Sequence, residues 1–204
     1  IDAKEIHFES LNKALGPKYS IEWSEHLNHY DGLKTVQKLN MLNKHKGLPF
    51  EMFDEIWLKK QKITLEILSK IKPKKDLIDL ISDLKNNYKL AVCSNSIRKT
   101  VFTVLSKLDI IQYFDLIISN EDVKNSKPHP EMYWNVISKL SELPESTLIV
   151  EDSPYGLLAA SKATDNILRV KNTSDLTIHN IKSKIKAINM IKSTIPKWND
   201  SKLN

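Results

Sequence analysis

Glu151 and Asp152 are adjacent carboxylates at the point where a short apolar run, Thr147-Leu148-Ile149-Val150, gives way to Ser153-Pro154-Tyr155-Gly156. The run is rich in β-branched residues and reads as a buried strand. Ser153 followed by Pro154 reads as a helix N-cap with proline in the first turn. Two acids at such a junction repel each other unless a cation holds them, and oxygen ligands of this kind suit Mg²⁺. A charge pair favoured by the helix dipole is the competing reading. Two further strand ends carry polar groups. Ser94 follows Lys89-Leu90-Ala91-Val92-Cys93, and Lys127 lies in Lys124-Asn125-Ser126-Lys127-Pro128-His129-Pro130, after the apolar run 115–118. A hydroxyl, an ammonium and an acid pair converging at one sheet edge would surround a phosphoryl group. That is the equipment of phosphoryl transfer, in which positioning and charge neutralisation do most of the catalysis. Taken singly, Ser94 or Ser96 suits equally well a cap for a helix over 97–108, and Lys127 a solvated loop charge. The set lacks a nucleophile.

The elements that must position these groups follow from the apolar spacing. Helical periodicity runs over 3–15, 21–29, 33–44 and 50–72, punctuated by Gly16-Pro17, Asp31-Gly32 and Gly47-Leu48-Pro49, so the first third reads as all-helical. From Lys72-Pro73-Lys74-Lys75 onward the pattern alternates. Helices are expected at 75–87, 97–108, 131–140 and 154–163, with strands at 89–93, 115–118, 147–150 and 166–170 and a polar loop from Ser119 to Pro130. Such alternation predicts one mainly parallel sheet flanked by helices. A last helix is expected over 176–191, and the tail 196–204 is expected to fray. The organisation is therefore a helical module over 1–72 preceding an α/β domain over 73–195.

Composition narrows the classes. The apolar fraction of 41% and charged fraction of 27% are those of an ordinary globular protein. No run is long enough to span a bilayer and the N-terminus shows no signal-peptide pattern, so no membrane partner is expected and the chain is read as cytoplasmic. The single cysteine, Cys93, excludes an intrachain disulfide. The net charge of +6 comes from lysines spread along the whole chain without an arginine-rich arm, which argues against nucleic acid as a partner.

Three segments now carry a resemblance. Val92-Cys93-Ser94-Asn95-Ser96, Ser126-Lys127-Pro128-His129-Pro130 with Tyr133 after it, and Ile149-Val150-Glu151-Asp152-Ser153 with Gly156 and Ala159-Ala160 are similar to motifs II, III and IV of the haloacid dehalogenase superfamily. They look most like its β-phosphoglucomutase-like phosphatases, and the similarity covers nearly the whole chain. The resemblance implies a Rossmann-like α/β core with the N-terminal helical module as a cap domain closing over the substrate. It further implies that Ser94, helped by the backbone of Asn95, hydrogen-bonds the phosphoryl oxygens. Lys127 would neutralise nucleophile and phosphate, and Glu151 and Asp152 would help hold Mg²⁺. His7, Asp31 and Lys34 occupy places comparable to the family's cap contacts to the leaving group, although a packing role for His7 stays open.

Motif I, an Asp-x-Asp ending the first core strand, has no match here. By the resemblance Asp2 falls several residues after it, so the motif and its strand are expected upstream of Ile1 in a longer protein. Were the 204 residues the whole chain, Mg²⁺ would bind weakly, the sheet would lack its central strand, solubility would be poor and no phosphate would be released. The implied function is Mg²⁺-dependent hydrolysis of a small phosphorylated metabolite, such as a phosphosugar, through an aspartyl-phosphate. A β-phosphoglucomutase-type phosphomutase and a non-catalytic binding or regulatory relic are the alternatives. A phosphorelay receiver combines similar groups but in a different order. Substrate identity and oligomeric state are left open by the sequence.

Overall fold

The computed structural model describes residues 3–194; the expectations for Asp2 and for the tail 196–204 lie outside the described residues. Helix α1 (Ala3–Leu15) buries Leu11, Ala14 and Leu15, the three-to-four spacing that puts side chains on one face. The segment expected as one helix over 21–29 is instead a single turn, α2 (Trp23–Glu25), running into a π-helical turn, His26–Tyr30. Its closing bond is of the i to i+5 type, the Asp31 N–H donating to the His26 carbonyl at 2.8 Å. Helix α3 (Thr35–Lys46) and helix α4 (Phe53–Leu68) complete the region, the latter entered by a 3₁₀ turn at Phe50–Met52 and ending short of the expected residue 72. Their apolar faces meet in one cluster that includes Leu11, Tyr30, Leu39, Leu42 and Ile56.

Helix α5 (Lys75–Lys85) opens the alternating region, with Leu80 and Leu84 buried one turn apart. Strand β1 (Ala91–Cys93), helix α6 (Arg98–Lys107), strand β2 (Leu116–Ile118) and helix α7 (Glu131–Lys139) follow in order. Strand β3 (Ile149–Glu151), helix α8 (Pro154–Ala160), strand β4 (Ile167–Arg169) and helix α9 (Ile178–Thr194) complete the described chain. All four strands run where the apolar spacing put them, each three residues long.

The pairing is parallel, as expected, but it forms two pairs: β1 with β2 and β3 with β4. Among the described residues no strand lies between the pairs. Side chains still join them: Cys93 of β1 packs with Ile149 of β3 and Tyr133 of α7. In α8 the buried positions are Gly156, Ala159 and Ala160, small residues that let this helix approach β3 closely. No helix of the described residues is long and apolar enough to cross a membrane.

The consequence for chemistry is topological. Ser94 immediately follows β1, Lys127 lies on the loop after β2, and Glu151 ends β3. Carboxyl ends of parallel strands are where α/β proteins build their ligand crevices.

Candidate active site

Lys127 is the hub of the strand ends. Only 6% exposed, it donates from Nζ to the Cys93 carbonyl at 3.1 Å and to Glu151 Oε1. Tyr133 also donates its hydroxyl to Glu151 Oε1, and its ring lies 5.0 Å beneath the lysine ammonium. Burial alone would raise the Glu151 carboxyl; the Lys127 charge and the bonds from Lys127 and Tyr133 outweigh it and hold the group below the usual carboxylate range. Burial together with the Glu151 charge pushes the Tyr133 hydroxyl strongly up, so it stays a donor.

Glu151 Oε2 is met at longer distance, by the Asp152 N–H at 3.3 Å and the Ser153 hydroxyl at 3.4 Å. Ser153 caps α8 by accepting from the Gly156 N–H at 3.0 Å, as its place before Pro154 led one to expect. Gly156 is required by a close approach: a Cβ there would land on the Glu151 carboxylate. Asp152 turns outward, its side chain 44% exposed and ion-paired with Lys4 of α1 at 3.2 Å.

Asn95 ties three segments together. Its side-chain amide donates to the Gly32 carbonyl at 2.7 Å and to the Lys127 carbonyl at 3.1 Å, while its oxygen accepts from the Lys127 N–H at 3.1 Å. Gly32 has φ +76, and a Cβ on it would press on the Tyr155 ring, so the loop from the first helices reaches the strand ends at a position suited to glycine. Ser94 receives the Ser96 N–H on its hydroxyl at 3.1 Å. Neither serine caps α6: the N-cap is Ile97, and the Arg98 N–H is taken by Glu121 across the crevice. That capping alternative is thereby set aside.

Across the crevice, the His7 Nε2 lies 3.2 Å from the Ser96 hydroxyl and its Nδ1 lies 3.5 Å from the Lys60 ammonium. With Lys60 protonated, Nδ1 accepts from it and Nε2 carries the proton toward Ser96. Burial, then the charges of Lys60 and Lys38, lower His7 well below the ordinary histidine value and keep it neutral. Asp31 is shifted up by burial against the pull of Lys4 and Lys38. Lys34 precedes α3, its N–H bonded to Gln37 at 3.0 Å.

A single cavity of about 530 Å³ joins these groups. Ser94, Asn95, Lys127, Glu151, Asp152, His7, Asp31 and Lys34 all line it, so every residue singled out in the sequence meets the others in one place.

The family model described as haloacid dehalogenase-like hydrolase matches residues 1–170. The chain belongs to the haloacid dehalogenase-like hydrolases. It is 24% identical over 175 residues to an uncharacterized protein of Haemophilus influenzae, covering 84% of this chain and 86% of that one. With the phosphorylated carbohydrates phosphatase of Thermotoga maritima it is 30% identical over 104 residues, 51% of this chain and 47% of the relative. With the phosphoglycolate phosphatase of Salmonella choleraesuis it is 40% identical over 74 residues, 36% of this chain and 29% of the relative. The aligned stretches thus cover less than half of these two phosphatases. The β-phosphoglucomutase of Clostridium difficile superposes with a TM-score of 0.77 at 22% identity, covering 93% of each chain. That likeness carries the fold alone.

For a hydrolase of this family Mg²⁺ is the implied metal, and the donor set fits it in part. Among the described residues no cluster of three or more histidine, cysteine, aspartate or glutamate side chains could hold an ion. Asp152 offers an outward carboxylate and Glu151 the lightly used Oε2, and Mg²⁺ commonly takes one or two carboxylates with water and substrate phosphate as the rest.

Two nearly buried lysines are among the cavity residues that the sequence pattern did not single out. Lys38 of α3 and Lys60 of α4 line the same space while nearly buried. A signal existed: the buried residues of α4 include Ile56, Lys60, Thr64 and Leu68, every fourth position, with Gln61 beside them, so a lysine falls in an inward stripe.

Proposed function

We propose that the cavity serves Mg²⁺-dependent hydrolysis of a small phosphate monoester, a phosphosugar, by way of an aspartyl-phosphate. The observation that carries this reading is the meeting of Ser94, Asn95, Lys127 and Asp152 on one cavity at the strand ends. Asp152, with Glu151 beside it, would hold the metal, which when bound neutralises phosphoryl charge. The Ser94 hydroxyl and the Asn95 backbone hold phosphoryl oxygens. Lys127, kept in place by Glu151, Tyr133 and the Cys93 carbonyl, offsets the charge that develops on them. The nucleophile in this reading is the first aspartate of an Asp-x-Asp segment, and no two aspartates of the 204 residues are spaced that way. Its carboxylate oxygen bonds to phosphorus as the sugar hydroxyl leaves, and water then cleaves the acyl phosphate to inorganic phosphate. Residues 1–72 act as the cap and 73–195 as the core, the cap covering the cavity during the reaction.

The test is a phosphatase screen on a protein in which a strand ending in Asp-x-Asp precedes Ile1. The expected result is Mg²⁺-dependent phosphate release, lowered roughly 10²–10³-fold by Lys127→Ala, with none from the 204 residues alone. Release indifferent to Lys127→Ala would overturn the reading. Transfer to a second sugar hydroxyl without release would make it a mutase, and no turnover at all a relic.

A further inference from the structure

Asp152 is the carboxylate that the phosphatase reading gives to the metal, and it already has a cation of the chain's own. The Lys4 ammonium lies 3.2 Å from Asp152 Oδ2, and both residues line the cavity. Lys4 stands in the first turn of α1 and Asp152 directly after β3, so the pair reaches from the helical region to the strand ends. The lysine side chain is the more enclosed partner, 19% exposed against 44% for the aspartate.

The same ammonium acts on a second acid. Burial raises the Asp31 carboxyl; of the charges acting on it, that of Lys4 is the largest and pulls it down, while that of Asp152 pushes it up. Lys4 is therefore within electrostatic range of two carboxylates that repel each other, one from each region. A cation near both relieves that repulsion. Here the chain supplies the cation itself, on a flexible stem.

An ion pair as exposed as this one is weak enough for a dication to displace. Displacement still leaves a positive charge tethered a few ångströms from the ion, and like charges at that range disfavour one another even in water. We propose that Lys4 is a tethered counter-ion of the metal-binding acid: it holds Asp152, gives way to Mg²⁺, and so sets how tightly the metal binds. The inference rests on the reading of Asp152 as a metal ligand and adds to it a residue that regulates the site. Release of Lys4 also removes one polar tie between α1 and the strand ends, leaving the 3.2 Å contact of His7 with Ser96.

The experiment is titration of the 204-residue chain with Mn²⁺, the free ion followed by electron paramagnetic resonance, and competition by Mg²⁺. The unaltered chain is compared with Lys4→Gln, Lys4→Arg and Asp152→Asn. Lys4→Gln is expected to tighten both ions about tenfold, the effect of removing one charge near a dication in a water-exposed setting. Lys4→Arg keeps the charge and should bind as the unaltered chain does, which a packing role for the lysine stem would not predict. Added NaCl should narrow the gap between the unaltered chain and Lys4→Gln, because salt screens the repulsion. Equal or weaker binding by Lys4→Gln, with Asp152→Asn weaker still, overturns the inference and leaves the metal reading standing. Affinity untouched by Asp152→Asn, or no binding by any of the four chains, overturns both.

Discussion

The strand-end side of the cavity and its helical side use the same residue type in opposite ways. Lys127 is buried among a carboxylate, a carbonyl and an aromatic ring, whereas Lys38 and Lys60 are buried with no carboxylate in contact. A cation that is already paired is held in one place and can position a reacting group before substrate arrives. One left unpaired carries a desolvation cost that loss of its proton relieves.

Breaking the paired side should have the largest effect. Lys127→Met leaves Glu151 buried without its cation and is expected to cost about 3–5 kcal/mol in urea unfolding. A loss below about 1 kcal/mol would mean that the pair is solvated and the contrast false. Gly156→Ala pushes a methyl group into the Glu151 carboxylate and should cost about 1–3 kcal/mol, with phosphate binding weakened as the carboxylate and Lys127 shift together. On the unpaired side the sign should reverse: Lys60→Met is expected to leave stability unchanged or raise it by about 1 kcal/mol.

A smaller effect sharpens the comparison through pH. Lys38 and Lys60 lose their protons near 8 and 7 in the folded chain against an ordinary value of 10.5. Across that interval the unfolded chain holds more of these two protons, so their contribution to stability rises with pH from about 7 to about 10, opposed above about 9 by Cys93, whose thiol burial pushes up to about 12. His7 is lowered too and His26 falls to about 4, so neither imidazole titrates in the window. Melting temperatures measured at about pH 7 and about pH 9.5 should therefore climb more in the unaltered chain than in a Lys38→Met, Lys60→Met double variant. Parallel curves would show that the two ammonium groups are hydrated.

The paired side was legible in the sequence because its chemistry sits at fixed offsets from strands. Ser94, Lys127 and Glu151 each follow a short apolar run, and parallel topology then brings the run ends together. The unpaired side was not, because a lysine within a helix reads as solvent-facing until the packing of α1 and α4 turns Lys60 inward. Other misreadings have the same non-local origin. Arg98 finds its N–H acceptor in Glu121, on a loop beyond the next strand, which no local capping rule anticipates. The π-helical turn at His26–Tyr30 goes with a histidine buried against Phe8 and Trp23, a packing demand that periodicity does not register.

The most direct test of a phosphoryl seat at the strand ends is an anomalous difference map from crystals soaked in tungstate, a tetrahedral dianion. One peak is expected, within hydrogen-bond reach of the Ser94 hydroxyl and the Asn95 backbone N–H and beside the Lys127 ammonium. A map with no density there, at tungstate concentrations that label other sites, would contradict the account.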